Sequence, residues 1–192
     1  MDLEKFLSDL EELGARNDSV QSDRSKKYLN ITPDTGEFLS VLIKATQAKT
    51  VLEVGTSNGY STLWLASAVP DDGHVYTIEY LESKAREARI NFEKAGLDRR
   101  ITQLVGDASQ ELSKVPDPVD FIFLDADRSS YLALAKTFFA LLKPGGLLVC
   151  DNAVSHESEL SDFVDWIRSR SDLSMSRVPV GKGELLIYKE SI

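Results

Sequence analysis

The chain reads as an α/β fold: a seven-stranded, mostly parallel sheet with helices on both faces and an antiparallel hairpin at its C-terminal edge. Three observations predict this. Short apolar, β-branched runs alternate with helix-period segments through the middle of the chain, the pattern of strands joined by helical crossovers. Val51-Leu52-Glu53-Val54 passes straight into Gly55-Thr56-Ser57-Asn58-Gly59-Tyr60 and then into a helical stretch. Such a glycine turn between a strand and a helix N-terminus brings backbone close to a ligand. Finally, two apolar runs at about 173–179 and 184–189 surround Gly181-Lys182-Gly183 with no helix between them.

The elements follow in order. Leu3, Phe6, Leu7, Leu10 and Leu13 fall on one helical face, and Gly14 is expected to end that first helix. Its apolar stripe must pack on the domain or on a second copy, and a homodimer is expected. Residues 16–28 are polar and read as a connector or a lid; residues 1–29 thus precede the core at 30–192, all within one domain. Thr32 is placed to cap a helix that starts at Pro33 and carries Phe38, Leu39, Leu42 and Ile43. The helix at 61–69 stops at Pro70-Asp71-Asp72-Gly73. A strand at His74–Tyr80, a helix over 82–95 and a cap at Gly96 come next. Ile101–Val105 and Val119–Leu124 are strands, 129–142 a helix, Lys143-Pro144-Gly145-Gly146 its stop, and Leu147–Cys150 the fifth strand. Leu160, Phe163, Val164 and Ile167 mark the last helix.

Composition narrows the function. A net charge of −9 argues against a nucleic-acid surface, which needs basic patches. No apolar run approaches the ~20 residues of a membrane span, and the acidic start does not read as a signal peptide. The single cysteine, Cys150, lies in an apolar run and reads as a small buried side chain. A cytoplasmic protein is expected.

In an open α/β sheet, ligands bind beyond the carboxyl ends of the strands. Here five successive strand ends carry acids: Glu53, Glu79, Asp107, Asp125 with Asp127, and Asp151-Asn152. The turn Gly55-x-x-x-Gly59 is not a dinucleotide fingerprint, because Ser57 and Tyr60 stand where that pattern needs glycine. Glu79 ends the second strand, where a carboxylate can accept both hydroxyls of a ribose. Asp107 and Ala108 follow the next strand, where an adenine edge would lie. Asp125, Asp151 and Asn152 offer only hard oxygens, which suit Mg²⁺, Ca²⁺ or Mn²⁺ and not zinc.

These residues resemble a known family. Asn30-Ile31 with Gly36, Val51 through Ser61, Thr77-Ile78-Glu79, Gly106-Asp107-Ala108, Phe123-Leu124-Asp125-Ala126-Asp127, Pro144-Gly145-Gly146 and Asp151-Asn152 are similar, in order and spacing, to the class I S-adenosylmethionine-dependent, metal-dependent O-methyltransferases. That group contains the catechol and caffeoyl-CoA O-methyltransferases, whose fold is Rossmann-like. The resemblance implies that Glu53, Gly55, Ser57, Gly59, Tyr60 and Ser61 form the loop for S-adenosylmethionine (SAM), with Ile31 covering its methionine end. Glu79 would take the ribose, and Asp107, Ala108 and Asp125 would border the rest of the cofactor. Asp125, Asp151 and Asn152 would coordinate a divalent cation, Mg²⁺ first, which activates a catechol-like or phenolic hydroxyl for methylation. One departure stands out. Where the family often has a lysine after Asp-x-Asp, this chain has Arg128, which stays protonated and cannot act as a base. Arg128 is expected to steady an oxyanion, and His156 is the candidate base. The alternatives are a metal-independent methyltransferase acting on nitrogen or carboxylate, and a non-catalytic cofactor-binding subunit.

Overall fold

The computed structural model of the chain describes residues 2–191. Its elements are α1 (Leu3–Val20), α2 (Pro33–Thr46), β1 (Thr50–Val54), α3 (Tyr60–Ala68), β2 (His74–Glu79), α4 (Glu82–Ala95), β3 (Ile101–Val105), α5 (Ala108–Glu111), β4 (Val119–Leu124), α6 (Tyr131–Leu141), β5 (Leu142–Cys150), α7 (Glu157–Arg168), β6 (Leu173–Val178) and β7 (Glu184–Lys189). All seven strands join one sheet in the order β3-β2-β1-β4-β5-β7-β6. The first five run parallel, and β7 lies antiparallel between β5 and β6. Side chains alternate across the sheet, so each face seeds its own core. Val51, Phe121, Phe123 and Val149 pack under α1, α2 and α3, while Leu52, Ile122, Leu124 and Leu148 pack under α6 and α7. Among the described residues no helix is long and apolar enough to cross a membrane.

The register decides which side chains meet at the site. Val54 pairs with both Ile78 and Leu124, and Leu124 pairs with Cys150. One residue further on, Gly55, Glu79, Asp125 and Asp151 therefore lie in a row along the carboxyl edge. The antiparallel pair Cys150 and Leu185 adds Glu184 to that row, beside Asp151. The strand order reverses between β1 and β4, so the row crosses the switch point where such sheets bind ligands.

Several boundaries differ from the sequence reading. The first helix does not end near Gly14 but runs through to Val20. Gly14 serves close packing instead, since a Cβ there would fall 2.5 Å from the Asn30 Nδ2. Leu7 and Leu10 are buried against this chain's own core, which accounts for much of the α1 stripe. Residues 16–20 are helical, and the rest of the connector is tied down. Asp18 accepts the N–H groups of Tyr28 and Leu29 at 2.7 and 2.8 Å, and the Lys84 Nζ donates to the Lys27 carbonyl at 2.7 Å. Thr32 takes the N-cap position of α2 without a side-chain capping bond, because its hydroxyl meets that of Thr35 at 3.0 Å. The segment expected as a helix over 129–142 opens with a 3₁₀ turn, Arg128–Ser130, and its last residue already belongs to β5. Lys143–Gly146 is not a simple stop: Leu142 pairs with Val119, and a register shift precedes the pairing of Leu147 with Phe121.

At the other end of the sheet, Asp120 stitches three segments together. It accepts the backbone N–H groups of Lys49 and Thr50 at 2.7 Å each and pairs with the Lys143 Nζ at 2.5 Å. Burial alone would raise its pKa; the Lys143 ammonium and the two N–H groups outweigh it and hold the carboxyl below the usual range. A depressed folded-state pKa adds stability above the unfolded value near 3.9 and loses it as pH falls through the folded value. Asp120→Ala is expected to cost about 1.5–3 kcal/mol at pH 7. Urea titrations from pH 7 down to pH 3 should show the gap to wild type narrowing below about pH 4; a gap independent of pH would contradict this role.

Candidate active site

The loop after β1 is shaped by the neighbouring strand. Gly55 has φ +108°, and a Cβ on it would lie 2.1 Å from the Asp125 carbonyl oxygen, so only glycine lets β1 and β4 end side by side. Ser57 (φ +49°) and Gly59 (φ +87°) complete the turn into α3. The Ser57 hydroxyl donates to the Tyr28 carbonyl at 2.7 Å, which fastens the connector beside the loop. Glu53 lies fully buried beneath it. Its carboxylate accepts the hydroxyls of Ser61 and Thr77 at 2.6 Å and that of Thr62 as well. Burial pushes the Glu53 pKa up, and the three hydroxyls work against that shift. Any action of Glu53 on a ligand thus passes through the Ser61 hydroxyl it orients.

Glu79 is held by two backbone donors, the N–H of Ser57 at 2.8 Å on one oxygen and that of Leu81 at 2.9 Å on the other. Each oxygen keeps lone-pair capacity for a further donor. A cleft of about 330 Å³ opens between the connector and the start of α4, lined by Lys26, Tyr28, Leu81 and Lys84 among others. Asp107 is exposed and caps α5, accepting the Ser109 N–H at 2.8 Å and hydroxyl at 2.6 Å, with Ala108 following as the first helical residue. Ile31 and Tyr60 are buried in the core under α1 to α3.

The acids at the ends of β4, β5 and β7 form the electrostatic centre. Asp125 has no side-chain hydrogen bond among the described residues. Burial, then the charges of Asp151 and Glu53, push its pKa well above the carboxylate range, while Arg128 and Lys182 pull it back. Asp151 accepts the Asn152 N–H and the Asn152 Nδ2 at 2.6 Å each, with Asn152 held at φ +63°. Glu184 is the site residue that the sequence reading missed. It is fully buried, its Oε1 accepts the Thr35 hydroxyl at 3.1 Å, and its Oε2 has no partner among the described residues. Burial, then the Asp151 charge, push its pKa up to about 10, which favours its neutral form.

Arg128 is buried but not free: its Nε donates to Glu159 Oε2 at 2.8 Å. That hydrogen bond holds Glu159 below the usual range, and His156 and Arg24 add to the effect through their charges. His156 occupies the N-cap position of α7, and its Nδ1 lies 2.9 Å from the Ser155 hydroxyl. Its backbone N–H donates to the Asn152 carbonyl at 3.0 Å, but its imidazole makes no hydrogen bond with Asp125, Asp151 or Asn152 among the described residues. The structure therefore brings together Gly55, Ser57, Glu79 and Asp125 along one edge, and Asp151 with Asn152, but leaves His156 engaged elsewhere.

Among the described residues no three His, Cys, Asp or Glu side chains converge to cage a metal unaided. The donor set nevertheless fits a hard cation completed by outside oxygens. It is all oxygen, Asp125 is unpaired, and neighbouring negative charge makes its ionised form costly without a counter-ion.

A parallel sheet with this switch point and a strand-glycine loop-helix over a buried acid form the frame on which SAM-dependent methyltransferases are built. The comparisons with known proteins agree. Residues 3–170 match the model of the O-methyltransferase family, and the chain belongs to that family, within its catechol and caffeoyl-CoA type. It is 33% identical over 162 residues to a catechol O-methyltransferase of Niastella koreensis, covering 79% of this chain and 72% of that protein. It is 36% identical over 148 residues to one of Mycobacterium tuberculosis, covering 76% and 67%. An O-methyltransferase from Bacillus cereus solved in complex with SAH superposes with a TM-score of 0.83 at 26% identity, covering 97% and 91%. TomG of Streptomyces achromogenes, solved with SAM, gives 0.79 at 27% identity over the whole of both chains.

Binding of S-adenosylhomocysteine (SAH) should test the Glu79 assignment. Hydrogen bonds to a charged acceptor contribute about 1.5–3 kcal/mol. Glu79→Gln should therefore raise the Kd about 10- to 100-fold in calorimetry, and an unchanged Kd would remove Glu79 from the site.

Proposed function

We propose that this methyltransferase acts on a hydroxyl of a small catechol-like or phenolic substrate and needs a divalent cation to do so. The observation that carries the reading is the acid row at the strand ends: Asp125, unpaired and pushed toward protonation by burial and then by Asp151 and Glu53, beside the oxygen donors of Asp151 and Asn152. Asp125, Asp151 and Asn152 would hold the cation, with Mg²⁺ the first choice for such a set and Ca²⁺ or Mn²⁺ compatible with it. When bound, such a cation supplies Lewis acidity that lowers the pKa of a coordinated hydroxyl.

The chain's own residues supply the rest. Glu79 and the Gly55–Ser61 loop position the donor methyl, which converts transfer into an oriented encounter of two bound groups. Arg128, immobilised by Glu159, sets a fixed positive charge near Asp125 that favours an oxyanion over the neutral hydroxyl. Arg128 cannot accept the proton. The His156 imidazole is the candidate acceptor, and it would have to leave the Ser155 hydroxyl to reach the proton. A cytoplasmic setting supplies both SAM and Mg²⁺.

Transfer of a labelled methyl group from SAM to catechol, measured with Mg²⁺ and with a chelator, tests this reading. Lewis-acid activation is worth several kcal/mol, so chelation should slow turnover about 10²- to 10⁴-fold. Asp151→Ala should do the same while SAH binding persists. Full activity in the chelator would favour the metal-independent alternative instead.

A further inference from the structure

The turn between β6 and β7 has a feature that the family assignment leaves unexplained. Its two glycines are dictated by their neighbours. Gly181 (φ +56°) would place a Cβ 2.2 Å from the Thr35 Oγ1 and 2.6 Å from the Thr32 Oγ1. Gly183 (φ +93°) would place one 2.3 Å from the Val154 Cγ2. Lys182 between them is exposed, and its ammonium makes no hydrogen bond or ion pair among the described residues.

The backbone that carries Lys182 is pinned on both sides. The Gly181 N–H donates to Asp34 Oδ2 at 3.0 Å, on the N-terminus of α2. The Ser155 N–H donates to the Lys182 carbonyl at 3.2 Å, and the Ala153 N–H to the Gly183 carbonyl at 2.7 Å. The turn is thus wedged between the start of α2, two residues beyond Ile31, and the loop that follows Asp151 and Asn152. Glu184, two residues on, sits inside the acid row. The seam borders the end of the acid row where the proposed function seats the methyl acceptor. Arg128, on the turn after β4, is already engaged by Glu159. Lys182, by contrast, is on the turn beside the acid row and has no carboxylate partner. In a chain of net charge −9, an unpaired cation fixed at the mouth of an acidic site calls for an anionic ligand group.

Resting on the proposed hydroxyl-methylating function, we propose that Lys182 is a specificity-determining residue that binds an anionic group on the acceptor, so that the preferred substrates are hydroxylated aromatic acids rather than neutral catechols. The ammonium at the mouth would receive the carboxylate while the hydroxyl end reaches toward Asp125 and Asp151.

The test compares kcat/KM for 3,4-dihydroxybenzoate and for catechol in wild type, Lys182→Met and Lys182→Arg. The wild type is expected to prefer the acid. Lys182→Met should reduce that preference about 10-fold or more, chiefly through KM, and Lys182→Arg should restore most of it. Added salt should weaken the wild-type preference as it screens the ammonium. A wild type that prefers catechol, or a preference unchanged in Lys182→Met, overturns the proposal. Calorimetric titration of the enzyme–SAH complex with 3,4-dihydroxybenzoate separates this result from failure of the broader reading. If neither compound is methylated, the proposed activity fails. Weaker binding of the acid to Lys182→Met then still supports recognition by Lys182, and equal binding overturns it.

Discussion

The buried carboxylate of Glu53 is the contact on which the rest of the site depends. Taking a carboxylate out of water is costly unless hydrogen bonds replace the lost solvation. Here three hydroxyls do so, from Ser61 and Thr62 at the start of α3 and from Thr77 on β2. The Thr77 hydroxyl also meets that of Thr56 in the loop. One acid therefore ties together β1, β2 and the first turn of α3. That tie fixes the path of the chain from Gly55 to Ser61, and Gly55 in turn fixes how closely β1 approaches Asp125.

A second constraint runs along the strand ends. Parallel register sets Asp125 and Asp151 on adjacent strands, and the antiparallel β7 adds Glu184 beyond them. Like charges this close raise one another's pKa. The chain relieves this in three ways: Glu184 favours its neutral form, Asp151 draws two N–H donors from Asn152, and the cations Arg128 and Lys182 act on Asp125 from its open side. What remains is an unpaired, partly buried Asp125. On the proposed function, a bound cation would relieve the cost of this acid row.

The alternation of strands and helices was plain in the sequence because each strand is a short β-branched run and most helices end at recognisable stops. The acids at five strand ends were equally legible, since each lies in or within three residues of its run. Three features were not. Gly14 reads as a helix stop because nothing local shows Asn30 packing against it. Glu184 begins a strand instead of ending one, so only the antiparallel register of β7 against β5 reveals that it joins Asp151. The pairing of Arg128 with Glu159 joins residues brought together by the packing of the 3₁₀ turn against α7, a tertiary fact with no local signature. The acid within Gly-Lys-Gly-Glu, next to the hairpin glycines, was the one available hint of Glu184.

The central claim is that the strand-end acids form a seat for a divalent cation beside the methyl donor. Crystals grown with SAH and soaked in Mn²⁺ would test it most directly, because anomalous scattering locates manganese without reference to activity. The expected result is one strong peak ligated by Asp125, Asp151 and Asn152 oxygens, absent from Asp151→Ala. Manganese bound elsewhere, with those three side chains turned away from one another while SAH occupies its loop, would contradict it.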